Sequence, residues 1–98
     1  MHSIVEAPDL LAPAASGFAA LADVDKLPLR GERAREGCRE WLRAEAPRAF
    51  AIHPVKGNWA ATWSGRRAIA RVLAKCETLA MGPCKLYAVD DTAVWAKQ

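Results

Sequence analysis

The segment CETLAMGPCKLYAVDDTAVW, residues 76–95, contains the clearest structural pattern in this chain of 98 residues. It starts inside an apolar helical pattern, which Gly82 and Pro83 end because both residues disfavour a helix interior. The stretch CKLYAV then alternates its side chains between two faces, as a strand does. Asp90 and Asp91 are common turn residues, and TAVW predicts a short last strand. The segment therefore predicts a helix end, a turn and two paired strands.

The residues before this segment predict the helix that leads into it. Apolar residues recur at the spacing of a buried helical stripe: Ile69, Val72, Leu73, Cys76 and Ala80. Ser64 is a favoured N-cap residue and predicts where the helix begins. This start places Arg66 and Arg67 in the first turn, where the helix dipole disfavours cations.

Three further elements are predicted towards the N-terminus. GERAREGCREWLRAEA, residues 31–46, has apolar residues at helical spacing and predicts an amphipathic helix that ends before Pro47. RAFAIHPVKGNWAATW, residues 48–63, alternates on both sides of a break at residues 53–58 and predicts a β-hairpin. GFAALADV, residues 17–24, is small and apolar and predicts a first strand.

The order of these elements predicts an α+β fold, β-α-β-β-α-β with an optional final short strand. A faint repeat supports it, because RAFAIHP at residues 48–54 aligns with KLYAVDD at residues 85–91. Two such halves favour a ferredoxin-like split βαβ arrangement, in which a mainly antiparallel sheet carries two helices on one face. A β-meander that carries two helices is the alternative. Residues 1–16 predict a flexible N-terminal tail, and residues 17–98 predict a single domain.

The composition is that of an ordinary globular domain. With 52% hydrophobic and 26% charged residues, the chain differs from disordered chains. No apolar run approaches the roughly 18 residues that cross a bilayer. The first 49 residues carry seven Lys or Arg and eight Asp or Glu, whereas the last 49 carry seven and three. The net charge of +3 therefore comes from the C-terminal half, which permits binding to an anionic partner.

Two blocks of the chain resemble a group of bacterial proteins. GCREWLRAEAPRAFAIHPVKGNWAATW, residues 37–63, and CKLYAVDDTAVW, residues 84–95, resemble small uncharacterised exported proteins of Burkholderia and related proteobacteria. The resemblance covers residues 17–95. That group has no established activity, so the resemblance implies no catalytic residue and no cofactor, and it assigns no role to Cys38. It does imply a periplasmic or secreted location, with a cytoplasmic one as the alternative.

The three cysteines admit several hypotheses. A zinc site needs a closer cysteine pair and more ligands than Cys76, Cys84 and His53 provide. A Cys-His nucleophile would pair Cys38 or Cys84 with His53, but no oxyanion motif accompanies them. In an oxidising compartment we expect a Cys76–Cys84 disulfide, because the Gly-Pro turn brings the helix end next to the strand start. In a cytosolic protein both residues would be ordinary buried thiols.

Two groups of residues are candidate contact surfaces. The four tryptophans lie at periodic positions that favour packing between helices and sheet, and we expect one or two of them to remain partly exposed, Trp63 or Trp95 first. The second helix carries a basic face without acidic neighbours, and its basic residues predict an anion site together with the backbone N–H groups at the helix start. The members of this candidate anion site are Ser64, Arg66, Arg67, Arg71 and Lys75. A basic face that only keeps the protein soluble is the alternative.

These features support three hypotheses about function. The first, which we prefer, is a non-catalytic exported interaction domain that contacts a protein or an envelope component through a sheet edge and an exposed tryptophan. The second is a binder of a polyanion or nucleic acid through the basic second helix. The third is a small enzyme that uses Cys38 or His53. We expect a monomer with no metal, no cofactor, no membrane-spanning segment and no catalytic activity.

Overall fold

The computed structural model describes residues 9–29 and 31–95. These residues form two α-helices, four β-strands and one short 3-10 helix. In chain order the elements are the 3-10 helix Val24–Lys26, α1 Glu32–Leu42, β1 Ala49–Ile52, β2 Trp59–Thr62, α2 Ala68–Ala80, β3 Lys85–Val89 and β4 Thr92–Ala93. The predicted α+β class, with two helices and an antiparallel sheet, is confirmed.

The four strands form one sheet in the order β2-β1-β3-β4, and each neighbouring pair is antiparallel. β1 and β2 form the predicted hairpin, with Phe50 opposite Ala61. Because β2 and β3 are both antiparallel to β1, they run parallel to each other, and α2 connects them. This connection is a split βαβ unit, as predicted. It leaves β1 in the interior of the sheet and β2 at one edge.

The two helices cover opposite faces of the sheet, so the prediction that they share one face is wrong. Phe50 of β1 packs with Trp41 of α1 in one buried cluster, whereas Ala51 of β1 packs with Val72 of α2 in another. Successive residues of a strand face opposite sides, so β1 is buried on both. The reason is that no strand precedes α1 within residues 9–29. No crossover connection holds α1 on the face of α2, and α1 instead covers the side that carries the aromatic residues.

The predicted first strand at residues 17–24 is wrong. This segment contains a turn and leads into the 3-10 helix Val24–Lys26. Its two bulky residues, Phe18 and Leu21, pack against the buried cluster that contains α1. They lie three residues apart, which does not match the two-residue period of a strand. The segment therefore contributes side chains to the core without joining the sheet.

Residues 9–16 form no helix or strand, but they contact the rest of the chain. The N–H of Ser16 donates to the carbonyl oxygen of Ala93 in β4 at 3.0 Å. Asp9 contacts the start of α2, as described below. Residues 1–8 lie outside the described residues, and the division into a tail at 1–16 and a domain at 17–98 stays a prediction.

A disulfide joins Cys76 in α2 to Cys84 just before β3, as predicted. The two Cα atoms lie 6.1 Å apart. This bond holds the last turns of α2 beside the start of β3 and so fixes one end of the split βαβ unit. Cys38 in α1 is free and buried.

A buried arginine that the sequence analysis did not identify joins α1 to the β3–β4 turn. Arg48 is 7% exposed, and its Nη1 donates to the carbonyl oxygens of Trp41, Leu42 and Ala44 at 3.2, 2.6 and 2.9 Å. Its Nη2 donates to the carboxylate of Asp91 at 2.8 Å. Carbonyl groups at the end of a helix lack helical partners. Arg48 therefore satisfies the end of α1 while it binds the β3–β4 turn.

Candidate functional site

β2 lies at one edge of the sheet, and no strand in the described part of the chain pairs with its outer side. The N–H of His53 donates to the carbonyl oxygen of Asn58 at 2.8 Å, which sets the phase of the β1–β2 hydrogen bonds. Along an antiparallel strand, the backbone N–H and C=O groups of one residue point towards the partner strand, and those of the next residue point away from it. Trp59 and Ala61 consequently direct their N–H and C=O groups outwards. Within residues 9–29 and 31–95, no backbone or side-chain group hydrogen-bonds to these outward groups.

A groove follows this edge between the two helices. It consists of two cavities of about 330 and 310 Å³, which share Ala61, Trp63 and Lys75 in their linings. The first cavity lies on the α2 side of the strand, and the second extends to α1. We call their union the edge groove. It is lined by residues 59–63, by Arg71, Lys75 and Leu79 of α2, and by Gly37 and Glu40 of α1.

Trp59 is fixed at the α1 side of the edge groove by two contacts. Its ring stacks on Phe50, with centroids 5.3 Å apart and an angle of 5° between the planes. It also lies against Gly37, where an added Cβ would be only 2.8 Å from Cζ2 of Trp59. Gly37 thus leaves the space that the indole occupies, and any side chain there would displace it.

Trp63 is the exposed aromatic residue of the edge groove. Its exposed fraction is 51%, as the sequence analysis expected, and nearby Leu79 is 56% exposed. Trp95, the other candidate for an exposed contact, is only 5% exposed, so that candidate is wrong and Trp63 is the exposed residue of the two. Its backbone N–H donates to the carbonyl oxygen of Tyr87 at 3.1 Å, and the centroids of the two rings lie 6.4 Å apart. A contact role for Trp63 stays a prediction.

Two cations of α2 line the edge groove. Nε of Arg71 donates to the carbonyl oxygen of Arg66 at 2.8 Å, and its guanidinium lies against Gly65. Lys75 follows about one turn later on the same side of the helix. Neither cation forms an ion pair with any of the described residues. Glu40 lines the groove from the α1 side.

The start of α2 differs from the sequence prediction. The helix begins at Ala68, and Arg67 is its N-cap with a left-handed φ of 56°. Arg66 and Arg67 therefore precede the helix instead of occupying its first turn. Ser64 is not the N-cap: it has a left-handed φ of 50°, and its N–H donates to the carbonyl oxygen of Glu45 at 3.1 Å. The left-handed residues redirect the chain between β2 and α2, which delays the start of the helix.

The N–H groups at the start of α2 bind a carboxylate from the chain itself. Asp9 accepts the N–H of Ile69 at 2.9 Å and that of Ala70 at 3.0 Å. Burial raises the pKa of Asp9, but these hydrogen bonds and the charge of Arg67 outweigh it and hold the pKa below 3.8. Asp9 therefore caps a helix whose own N-cap makes no side-chain hydrogen bond. Binding of an external anion by the five predicted residues stays a prediction, with Asp9 as an internal competitor.

Replacement of Asp9 by Ala is expected to lower the free energy of unfolding by about 1 kcal/mol, because two helix N–H groups lose their acceptor. Asp9→Asn keeps an acceptor and removes the titration. The folded pKa of Asp9 lies below its unfolded value, so its charge stabilises the fold fully above pH 3.8. That stabilisation is lost as the pH falls through the folded pKa.

Chemical unfolding of the wild type, Asp9→Ala and Asp9→Asn from about pH 7 down to about pH 2 tests this cap. The advantage of the wild type over Asp9→Asn should shrink at low pH. Asp23→Ala is the control, because Asp23 is exposed and makes no side-chain cap hydrogen bond. Equal stabilities of Asp9→Ala and Asp23→Ala would contradict the role of Asp9.

Cys38 and His53, two residues of the Cys-His hypothesis, have different surroundings. The thiol of Cys38 is buried, and burial raises its pKa, which disfavours the reactive thiolate. Nδ1 of His53 accepts the N–H groups of Val55 and Lys56 at 3.2 and 2.9 Å, which fixes the ring inside the hairpin loop. The described residues show no hydrogen bond between Cys38 and His53. They also contain no cluster of three or more His, Cys, Asp or Glu placed to hold a metal.

Neither a family model, nor a curated protein, nor a solved structure matches this chain. The resemblance to exported proteins of Burkholderia and related proteobacteria therefore stays a prediction. Among the helices of the described residues, none is long and apolar enough to span a membrane. The edge groove is the feature of the described residues that supports a function most directly.

Proposed function

We propose that this protein is a non-catalytic interaction domain that binds an extended segment of a protein partner along β2. The observation that carries this proposal is the open edge, where the outward N–H and C=O groups of Trp59 and Ala61 have no partner among the described residues. An extended segment can add to such an edge as a further strand and satisfy these groups. Main-chain hydrogen bonds then supply affinity, and flanking pockets supply specificity.

The walls of the edge groove suit a bound strand. α1 and α2 lie on opposite faces of the sheet, so both faces of an added strand would contact protein. Trp63 is half exposed beside the strand, and tryptophan is enriched among residues that dominate binding energy. Gly37 and Phe50 fix the neighbouring Trp59 before a partner arrives, which limits the ordering cost of binding.

The other two hypotheses have less support from the contacts. The buried Cys38 lacks the features of an activated nucleophile. Binding of a polyanion remains a second candidate because Arg71 and Lys75 line the groove, but Asp9 already occupies the backbone donors of α2. The Cys76–Cys84 disulfide supports an oxidising compartment, and a periplasmic or secreted location is part of our proposal.

Selection of random linear peptides, displayed on phage, against the purified protein tests the proposal. We expect the enriched peptides to shift the NMR signals of residues 59–63. Trp63→Ala is expected to weaken their binding at least about tenfold, since an exposed aromatic anchor is lost. Val55→Ala is the matched control, because Val55 is 88% exposed and lies in the hairpin loop outside the edge groove.

A second variant tests the backbone directly. Ala61→Pro removes one outward N–H group without removing a β1–β2 hydrogen bond, and proline is tolerated on edge strands. It is expected to abolish binding of the selected peptides while the fold persists. A failure to enrich any peptide, or equal weakening by Trp63→Ala and Val55→Ala, would overturn the proposal.

A further inference from the structure

The two sides of the edge groove differ in chemistry. The side chains of Trp59 and Ala61 lie on the face covered by α1, because their partners in β1 are Ile52 and Phe50. The α2 side instead presents the cations of Arg71 and Lys75. A strand added to this edge would therefore place alternate side chains against aromatic surface and against positive charge.

The cations on the α2 side form no ion pair among the described residues, and Glu40 on the α1 side is the acidic residue of the groove lining. Arg71 and Lys75 make no ion pair with any residue in 9–29 or 31–95, whereas Arg35 and Arg39 of α1 and Arg48 do. Arg71 is also held in place by its bond to the carbonyl oxygen of Arg66. A fixed, unpaired cation beside an open strand edge favours a partner that carries negative charge at the matching position.

A second copy of this chain does not fit the edge groove well. Antiparallel pairing of β2 with its own copy would relate the two sheets by a two-fold axis perpendicular to the sheet. Both α2 helices would then lie on the same face, with their Arg71 and Lys75 side chains directed towards each other. Like charges in that position repel, and charged residues at an edge are a known protection against self-pairing. The expected monomer is consistent with this arrangement.

We infer that the edge groove prefers an acidic extended segment whose carboxylates lie two residues apart, an inference that rests on the proposed function. Residues four apart on a helix are separated by about 6 Å along its axis. Alternate residues of a strand are separated by about 6.6 to 6.8 Å and point to the same face. Carboxylates at positions i and i+2 can therefore reach Arg71 and Lys75 together. Apolar side chains at the intervening positions then contact the α1 side beside Trp59 and Trp63.

Three blocked peptides test this preference by calorimetry and NMR. The first is Gly-Thr-Val-Glu-Val-Glu-Val-Thr-Gly, the second has Lys in place of both Glu, and the third has the two Glu adjacent at unchanged composition. At about 50 mM salt we expect the first peptide to bind at least about tenfold more tightly than the second, and more tightly than the third. The advantage over the second should shrink in about 0.5 M salt, because exposed charges are screened.

Matched variants separate this inference from the proposed function. Arg71→Gln with Lys75→Gln should make the Glu and Lys peptides bind alike, whereas Lys26→Gln with Arg33→Gln, which changes the net charge equally on exposed residues, should leave the preference intact. If the wild type binds both peptides equally at β2, edge binding stands and the acidic preference is overturned. If no peptide binds, the proposed function itself fails. A dT oligonucleotide is also added in competition. If it binds more tightly than the Glu peptide and displaces it, the partner is a polyanion and not a peptide.

Discussion

Replacement of Arg48 by Met is expected to lower the free energy of unfolding by about 3 kcal/mol. The Arg48 side chain is nearly fully buried and donates to three carbonyl groups at the end of α1. Methionine keeps much of the buried length but donates no hydrogen bond, so these carbonyls and the carboxylate of Asp91 lose their shared partner. Arg48→Lys keeps the charge but lacks the planar guanidinium group. The free energy of unfolding of this variant should lie between that of Arg48→Met and that of the wild type.

Urea unfolding monitored by tryptophan fluorescence measures this loss for both variants. Arg33→Met is the matched control, because Arg33 is an exposed arginine of α1. It should change the free energy of unfolding by no more than about 0.5 kcal/mol. Comparable stabilities of the two methionine variants would contradict the role that we assign to Arg48.

Loss of the Cys76–Cys84 disulfide is the second large expected effect, about 2 to 3 kcal/mol of unfolding free energy. The bond closes a short loop between α2 and β3, and its removal restores conformational freedom mainly to the unfolded chain. The Cys76→Ala, Cys84→Ala double variant should unfold at a lower urea concentration than the oxidised wild type. Buried Cys38 is unchanged in that variant.

Reduction provides the control for this prediction. Dithiothreitol should destabilise the wild type by a similar amount and leave the double variant unaffected. Mass mapping of non-reduced protein should find Cys76 linked to Cys84 and Cys38 free. Three alkylatable thiols in protein taken from an oxidising compartment, or no effect of reduction on the wild type, would contradict the assignment.

The features that could be predicted from the sequence depend on local patterns. The hairpin of β1 and β2, the helix that ends before Gly82 and the strands β3 and β4 all follow from period and turn residues within short segments. The disulfide followed from the same segment, because a Gly-Pro turn separates its two cysteines. These features required no knowledge of how distant parts of the chain meet.

The features that could not be predicted depend on contacts between distant residues. Asp9 caps α2 from 60 residues away in the chain. Nothing in the sequence near Ile69 indicates which residue accepts the N–H groups at the start of this helix. Arg48 resembles any surface arginine in sequence, although a basic residue placed four positions after Ala44 suits the end of a helix. The first strand failed because Phe18 and Leu21 pack on the core at a spacing that strands do not use.

The candidate site was predicted only in part. Trp63, Arg71 and Lys75 were identified from exposure and charge, and the structure places all three along one groove. The sequence could not show that β2 lies at the edge, because strand order is decided by the α2 connection between β2 and β3. The close contact of Gly37 with Trp59 was likewise not visible, since it joins α1 to β2 across the faces of two elements.

Amide hydrogen exchange along β2, measured by NMR with and without the Glu peptide, tests the central claim most directly. In the free protein the outward amides of Trp59 and Ala61 should exchange quickly, whereas those of Ala60 and Thr62, which face β1, should exchange slowly. When the peptide is bound, the amides of Trp59 and Ala61 should exchange at least about tenfold more slowly, because they hydrogen-bond to the added strand. Binding that leaves these two amides unchanged would contradict strand addition at the edge.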